Sequence, residues 1–228
     1  MPGGPAISIK RAAKLKIKKY REAERLFLAE GTAVLAEAPT TPLHVFDRDE
    51  QIPRVSTLET PAGPVGVFPF LDVSVTGLLS RTRRILLLHG VQDPGNVGTA
   101  IRSAHAFGAG IALSRGSADL YNPKTVRASM GSIFHTPVTR ELESVEFLDA
   151  TSEAGFVPIA AVPEAEELPG SMPAGKLVVC IGAEGSGLPE GVIGACQLRV
   201  GIPSLAPSLN ASVAASILLY EAYSRVLG

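Results

Sequence analysis

The sequence lacks any apolar run long enough to cross a membrane, and it has only two cysteines. No stretch approaches the roughly 18 uninterrupted apolar residues of a membrane helix, and no apolar segment follows the basic residues near the N-terminus, as a secretory signal requires. Cys180 and Cys196 are 16 positions apart, a spacing that matches neither a disulfide framework nor a zinc knuckle. With 46% apolar residues, the 228-residue chain can bury a sizeable core. We therefore expect a soluble protein of the cytoplasm.

The charge is nearly balanced overall but uneven along the chain. Residues 10–25 carry eight basic and two acidic side chains, a net charge of +6, so the other 212 residues carry −7. A basic helical segment on an acidic body is typical of a protein that contacts a phosphate backbone. The alternative is an ordinary solvated helix that is rich in lysine.

Composition divides the chain into two predicted domains. Residues 1–76 contain the basic segment and then a small α+β block, in which 27–38 has helical spacing and prolines separate short apolar runs. Residues 77–84 end in arginines and are predicted to be a linker. The remainder, 85–228, forms the second domain.

The second domain alternates between strand-like and helix-like patterns. Helical patterns at 96–108, 122–131 and the C-terminus lie between apolar runs at 85–90, 110–114, 156–162, 176–182 and 198–203. Such alternation predicts an α/β fold, a parallel sheet with helices on both faces. Ligands of such sheets bind at the carboxyl ends of the strands.

Three polar, glycine-rich or proline-rich loops follow predicted strands, at 92–102, 182–191 and 202–212. The second is not a Walker P-loop, because Leu188 and Pro189 stand where Lys and Ser or Thr are needed. It is not a dinucleotide fingerprint either, because no acidic residue lies between Glu190 and Glu221 to hold a ribose. A glycine-rich turn alone is weak evidence for any ligand.

Taken together, the three loops resemble in order and spacing the motifs of the SpoU family of RNA 2'-O-ribose methyltransferases, within the SPOUT superfamily. The first motif is read as Asn96-Val97-Gly98 with Arg102, and the second as IGAEG (181–185) with Gly187-Leu188. The third is Ile202-Pro203 followed by SLNASVA (208–214). The segment YNPKTVRASMGSIF (121–134) also matches, and FLAEG (27–31) is similar to the family's substrate-binding domain.

The resemblance implies a fold, a cofactor and a partner. It implies that the last strands and helix of the α/β domain form a deep trefoil knot, which binds S-adenosylmethionine, and that the chain forms a homodimer through the knot region. It also implies an N-terminal substrate-binding domain for RNA. The cofactor would contact Gly182, Ala183, Gly185, Ile202, Pro203 and Leu209, and main-chain groups of the glycine turn could approach it closely. The stretch between Pro203 and Ser208 is about two residues shorter than is usual in the family.

The resemblance also assigns catalytic positions to Arg102, Asn96, Ser208, Asn210 and Glu184. Transfer of a methyl group to a ribose hydroxyl needs no metal, but the 2'-oxygen must be in line and lose its proton. Arg102 either grips the phosphate beside the target ribose or acts as a base. Asn96 would contact substrate or the neighbouring subunit. Ser208 and Asn210 would position the hydroxyl or brace the knot, and Ser208 would also cap the last helix. Glu184 would hold backbone amides, including those of the loop that carries Asn96, or act electrostatically beside the methyl sulfonium.

The functional prediction is therefore methylation of a ribose 2'-hydroxyl in structured RNA, with ribosomal RNA favoured. The alternatives are a 2'-O-methyltransferase for tRNA, a SPOUT enzyme that methylates a base, and a non-catalytic RNA-binding or ribosome-assembly protein with a relict cofactor pocket. Intact Arg102, Glu184 and Asn210 argue against the last of these.

Overall fold

A computed structural model describes residues 7–61 and 63–225. The basic segment forms two short helices, α1 (Ile9–Lys14) and α2 (Lys18–Glu24). Ser8 caps α1, and Leu15, between the two helices, is fully buried. Lys14, Lys16, Lys18 and Lys19 are exposed. The segment is therefore anchored by a few apolar side chains and presents most of its lysines to solvent.

A small antiparallel sheet follows the two helices. It has the order β1-β3-β2, with β1 at Leu26–Glu30, β2 at His44–Phe46 and β3 at Val65–Pro69. Helices α3 (Thr32–Ala36) and α4 (Ile52–Val55) lie between the strands. The predicted helix over 27–38 is thus wrong in its first half. LFLAE is buried along its whole length, and a short apolar run does not distinguish a strand from a buried helix.

The predicted linker at 77–84 is not irregular. It overlaps α5 (Val75–Arg81), which Ser74 caps and whose Leu78 is fully buried, and it ends at the start of β4 (Arg84–Leu88). The arginines at its end indicated a linker, but Val75, Leu78 and Leu79 have helical spacing and pack against the sheet.

The larger unit confirms the predicted α/β fold. Its sheet is parallel, has the order β6-β5-β4-β8-β7-β9, and adds five strands to β4: β5 (Gly110–Ser114), β6 (Val138–Leu142), β7 (Val157–Ala161), β8 (Leu177–Ile181) and β9 (Leu198–Val200). The helices are α6 (Pro94–Ala106), α7 (Pro123–Ala128), α8 (Ser144–Glu153), α9 (Glu190–Gly194) and α10 (Ala211–Ser224). Sequence patterning missed β6 and α8, because β6 is an edge strand with polar residues at Thr139, Arg140 and Glu141.

Alternate residues of the central strands enter two different cores. Leu86 and Leu88 of β4 face α6 and α10, where they pack with Val97, Ile101 and Leu218. Ile85 and Leu87 face the opposite side and join the cluster of α5, α8 and α9. Because side chains alternate along a strand, a continuous apolar run requires a covering layer on each face. Within residues 7–61 and 63–225, no helix is long and apolar enough to span a bilayer.

Two ion pairs, one buried and one partly buried, attach the N-terminal unit to the larger one. Arg21 of α2 is 2% exposed, donates to the Leu15 carbonyl (2.8 Å), and forms a 2.5 Å pair with Asp119 beyond β5. Arg140 of β6 donates to both carboxylate oxygens of Glu22 at 2.7 and 3.1 Å. These contacts fix the position of the basic helices relative to the sheet.

The segment between β3 and α5 is attached to the larger unit by an aromatic stack. The rings of Phe70 and Tyr121 stack with centroids 3.8 Å apart, and the Tyr121 hydroxyl donates to Asp72 (2.8 Å). Burial raises the pKa of Asp72, but the hydrogen bond from Tyr121 and the charges of Arg140 and Arg25 outweigh burial and hold it below its usual value. Asp72 therefore stays ionised as the common partner of both arginines.

Replacing Arg21 with Met tests this attachment. The change leaves the Asp119 carboxylate buried without its cation, so the free energy of unfolding should fall by about 3–5 kcal/mol in urea denaturation. Arg115→Gln is the control, because the Arg115–Glu143 pair is 66% and 53% exposed and its loss should change stability by less than about 1 kcal/mol. Equal losses in the two variants would contradict a stabilising role for the buried pair.

Candidate functional site

The three motif loops converge at the carboxyl ends of the parallel strands. Strands β4 and β8 are neighbours in the centre of the sheet, although Leu88 and its partner Ile181 are 93 positions apart in the sequence. Strands β5 and β6 lie on one side of this pair, and β7 and β9 lie on the other. The direction of winding therefore changes between β4 and β8, which is where open parallel sheets bind ligands. The loops after these two strands carry Asn96 and Glu184. The loop after β9 returns to α10 across the same strand ends.

The Asn96 side chain joins all three loops. It lies in the first turn of α6, and its Nδ2 donates to Oε1 of Glu184 in the second loop. Its Oδ1 accepts from Nδ2 of Asn210 at 3.0 Å and from the Ser212 hydroxyl at 3.2 Å, both at the start of α10. Asn96 thus braces the loops of its own chain. Its contact with substrate or a neighbouring subunit stays a prediction.

The second loop is a tight turn closed on itself. Ala183 and Gly187 form an isolated antiparallel bridge, in which the Gly187 N–H donates to the Ala183 carbonyl at 2.9 Å. Gly182 has no room for a side chain, since an added Cβ would lie 2.1 Å from the Gly187 carbonyl carbon. Gly185 has φ of +93° with open space around it. The turn therefore needs glycine at 182 for packing and at 185 for its backbone conformation.

Glu184 lies at the tip of this turn, between Ala183 and Gly185, and is exposed. The sequence predicted that it holds backbone amides of the Asn96 loop. Its carboxylate instead accepts from the Asn96 side-chain amide. The two loops are joined as predicted, but side chain to side chain.

The third loop presents free main-chain donors. Among the described residues, the N–H groups of Ile202 and Leu209 form no hydrogen bond with the protein, and both side chains are half-buried. Pro203 and Ser208 are exposed. Main-chain donors without acceptors, in half-buried residues, are suited to a bound polar ligand.

Asn210, not Ser208, caps the last helix. The Asn210 Oδ1 accepts from the N–H groups of Ser212 (3.0 Å) and Val213 (3.3 Å). The predicted cap at Ser208 is therefore wrong, because α10 begins at Ala211 and Ser208 lies two residues before the cap. Asn210 both starts the helix and bonds Asn96.

Arg102 lies apart from this network, on the exposed side of α6. Its neighbours Val97, Ile101 and Ala104 are fully buried, so the guanidinium projects from the opposite face of the helix. Within residues 7–61 and 63–225 it forms no hydrogen bond or ion pair. All five donors of the group are therefore available for a ligand.

Two contributors to the site were not singled out from the sequence. The Ser212 hydroxyl bonds both Asn96 and Asn210, the latter at 2.7 Å. Asp93 caps α6 by accepting from the Gly95 N–H and pairs with Lys124 of α7 at 2.6 Å, and the hydrogen bond from Lys124 lowers the pKa of Asp93. An Asp before Pro94 is a recognisable helix start, whereas the role of Ser212 depends on tertiary contact.

The histidines serve other contacts. His89 bonds the Ser144 hydroxyl at 2.8 Å, and burial lowers its pKa. The rings of His105 and His135 stack 4.7 Å apart, and His135 bonds Glu37 of the N-terminal unit. None of these contacts includes a residue of the three motifs.

Comparison with known proteins agrees with this arrangement. The family model of the SpoU rRNA Methylase family matches residues 83–220. RlmP of Bacillus subtilis, a 23S rRNA (guanosine(2553)-2'-O)-methyltransferase, is 31% identical over 243 residues, covering 91% of this chain and 92% of that protein. A 23S rRNA (uridine(2479)-2'-O)-methyltransferase of Streptomyces viridochromogenes is 32% identical, covering 88% of this chain and 70% of that protein. The chain spans 58% of the length of several longer TrmH-family relatives.

The fold has close counterparts among solved structures. The AdoMet-bound rRNA methyltransferase of Sinorhizobium meliloti superposes with a TM-score of 0.84 at 26% identity, covering 96% of this chain and 95% of that chain. The family match extends over the whole parallel sheet and all three loops that meet at Asn96. The chain therefore belongs to the SpoU rRNA Methylase family, as its motifs predicted.

Proposed function

We propose that this protein transfers a methyl group from S-adenosylmethionine to a ribose 2'-hydroxyl in structured RNA. The observation that carries the proposal is the convergence of the three motif loops on Asn96, in a chain that belongs to this family. The bonds from Asn96 to Glu184, Asn210 and Ser212 hold the three motif loops together, and this intact network argues against a relict pocket.

The residues of the second and third loops fit the cofactor. We assign the cofactor contacts to Gly182, Ala183, Gly185, Ile202, Pro203 and Leu209. The free N–H groups of Ile202 and Leu209 are available to adenine or to the methionine part, and their half-buried side chains supply an apolar wall. The rRNA methyltransferase of Sinorhizobium meliloti was solved with AdoMet bound.

When bound, S-adenosylmethionine supplies a methyl group on a positively charged sulfur. The protein must then hold the ribose oxygen in line and assist the loss of its proton. We assign to Arg102 a two-pronged grip on the phosphate beside the target ribose, because its guanidinium is exposed and has no partner in the described part of the chain. Asn210 and Ser208, in the third loop, would orient the hydroxyl. Asn96 and Glu184 would hold the three loops together.

We propose ribosomal RNA as the substrate, with the cytoplasm as the site of action. Two relatives that match most of this chain are both named as 23S rRNA 2'-O-methyltransferases, although they act on different nucleotides. Transfer RNA is the alternative. Mapping 2'-O-methylated positions in RNA from cells with and without the protein distinguishes the two and identifies the nucleotide.

We further propose that the returning chain is threaded into a deep trefoil knot. After β9, at the edge of the sheet, the chain runs back to α10, which packs on β8 and β4 at the centre. The connection between β7 and β8 lies across this return: the Gly201 N–H donates to the Glu167 carbonyl at 2.8 Å, and Arg225 bonds the Gly170 carbonyl.

We propose that the protein is a homodimer that pairs through this region. Helix α10 buries Ala215, Leu218 and Leu219, while Val213, Ile217 and Tyr220 on its other side are 47%, 37% and 58% exposed. The exposed residues follow the spacing i, i+4, i+7, which forms one apolar stripe along a helix. A second copy of the chain is the partner that would cover it.

We propose that residues 1–76 form an RNA-binding domain and that the basic segment contacts phosphates. Lys16 and Lys19 are exposed and have no ion pair among the described residues. Lys16 also lines an open groove of about 610 Å³, whose opposite wall is Asn122, Pro123 and Arg127. Pro123 of this groove is followed in the sequence by Lys124, which pairs with the capping Asp93 of α6.

The first prediction concerns the cofactor turn. Gly182→Ala places a methyl group 2.4 Å from the Leu188 nitrogen as well as against Gly187, so the turn must shift. Loss of one or more main-chain hydrogen bonds should weaken S-adenosylhomocysteine binding by about tenfold or more in calorimetry. Gly191→Ala is the control, because no atom lies within 4 Å of the added group. Unchanged affinity in a folded Gly182→Ala protein would contradict the assigned site.

The second prediction concerns Arg102. Arg102→Ala should retain wild-type folding and S-adenosylhomocysteine affinity, lose RNA affinity modestly, and lose methyl transfer by orders of magnitude, because orientation and proton displacement both depend on it. Arg102→Lys keeps the charge but loses the planar fork, so it should stay far below wild type. Arg83→Ala is the control, because Arg83 is exposed and lies just before β4, at the amino ends of the parallel strands. Near-normal turnover in Arg102→Ala would remove Arg102 from the mechanism.

The third prediction concerns the basic segment. Replacing Lys16 and Lys19 together by Gln should weaken RNA binding and reduce the slope of log affinity against log salt by about 0.7–0.9 per lost phosphate contact. The affinity for S-adenosylhomocysteine should not change. Replacing Arg81 and Arg83 together by Gln removes the same charge elsewhere and should leave the slope unchanged. Equal slopes for both variants would mean that the lysines are only solvated.

A further inference from the structure

The two cysteines, which are distant in sequence, are neighbours in the fold. Cys180 is fully buried in β8, and Cys196 follows α9 in the segment that leads to β9. Their sulfur atoms are 3.7 Å apart, and the Cys196 Sγ is also 3.3 Å from the Val192 carbonyl oxygen. Both thiols are reduced. A disulfide needs about 2.05 Å between the sulfurs, so a small approach would join them.

The two thiols differ in exposure and in acidity. Cys196 is half-buried, whereas Cys180 is inaccessible. The hydrogen bond with Cys180 lowers the pKa of Cys196, and the positive charge of Arg199 acts in the same direction. The same hydrogen bond and burial raise the pKa of Cys180. Cys196 is therefore the thiol that ionises and meets an oxidant first, and Cys180 is held beside it as the second thiol.

We propose that Cys180 and Cys196 form an oxidisable dithiol that a peroxide converts into an intramolecular disulfide. The Cys196 thiolate attacks a peroxide oxygen, the O–O bond breaks, and Cys196 becomes a sulfenic acid. The hydroxide that leaves takes up the proton that the Cys196 thiol released on ionising and becomes water. The Cys180 thiol then attacks this sulfur, the S–O bond breaks, and a second water carries away the hydroxyl and the thiol proton. Two thiols are oxidised as one peroxide is reduced, and a small dithiol reverses the change.

The position of the pair connects it with the cofactor loops. Cys180 is held on both sides, since β8 pairs with β4 and with β7 along its length. The approach of the sulfurs must therefore come from the segment around Cys196. Gly182 lies two residues after Cys180, and Ile202 lies six residues after Cys196. We expect the disulfide to displace the turn and the third loop relative to each other and to weaken cofactor binding. This consequence rests on the proposed function, whereas formation of the disulfide does not.

The first experiment tests the bond itself. The full-length protein is treated with hydrogen peroxide, blocked with an alkylating reagent, and examined by intact mass and by non-reducing peptide mapping. The expected result is a loss of two hydrogens, a peptide pair joined through Cys180 and Cys196, and full reversal by dithiothreitol. Two outcomes would overturn the proposal. In the first, Cys196 is oxidised to a sulfinic acid while Cys180 keeps a free thiol that is alkylated only after unfolding. In the second, both thiols stay unmodified.

Two variants separate the roles of the thiols. In Cys180→Ala, the sulfenic acid on Cys196 has no partner and should be trapped by dimedone. In Cys196→Ser, peroxide should cause no loss of hydrogens, and this variant keeps the buried strand residue intact if Cys180→Ala folds poorly. A cross-link or a mass loss in Cys196→Ser would contradict the assigned pair.

The second experiment tests the connection with the cofactor. Calorimetry with S-adenosylhomocysteine should show a several-fold weaker affinity for the oxidised protein, recovery after reduction, and no effect of peroxide on Cys196→Ser. A disulfide that forms without a change in affinity would disprove the coupling. Absence of S-adenosylhomocysteine binding in the reduced protein would instead count against the proposed function, and the mass measurement would still stand.

Discussion

The site depends on one side-chain amide. Asn96 donates to Glu184 and accepts from Asn210 and Ser212, so a single residue connects loops that lie 88 and more positions apart. An amide can do this because it carries donors on one atom and an acceptor on the other. A carboxylate at 96 would repel Glu184, and a hydrophobic residue would remove the bonds to Glu184, Asn210 and Ser212. The arrangement of the cofactor turn relative to the last helix follows from this contact.

The sheet explains why these loops meet. The central strands are apolar on both faces, and their side chains alternate between a core formed with α6 and α10 and a core formed with α5, α8 and α9. Two covering layers leave only the strand ends accessible to a ligand. Because the winding reverses between β4 and β8, the helices that follow them, α6 and α9, pack on opposite faces of the sheet. The crevice expected between them at the strand ends is bridged by the bond from Asn96 to Glu184. The third loop enters the crevice when the chain returns from β9.

The N-terminal unit is held in a defined orientation rather than tethered by a free linker. The buried Arg21–Asp119 pair, the Glu22–Arg140 pair and the stacked Phe70 and Tyr121 rings all join it to the larger unit. Leaving a buried charge without its partner is costly, so the Arg21–Asp119 pair opposes separation of the two units. An RNA that contacts the basic helices would therefore present its target at a fixed distance from the motif loops.

Local patterning in the sequence determined the α/β class, most strands of the sheet, and the three loops, because alternating apolar runs and turn residues record local conformation. It could not assign LFLAE to a strand or recognise β6, since short or polar strands are defined by their neighbours in the sheet. It placed the helix cap at Ser208, two residues early, because several small polar residues there can all cap a helix. Only the tertiary structure decided that Asn96 reaches Glu184 and Asn210, and that Cys180 and Cys196 are in contact. Such contacts depend on the order in which the strands lie side by side in the sheet, and no local pattern in the sequence encodes that order.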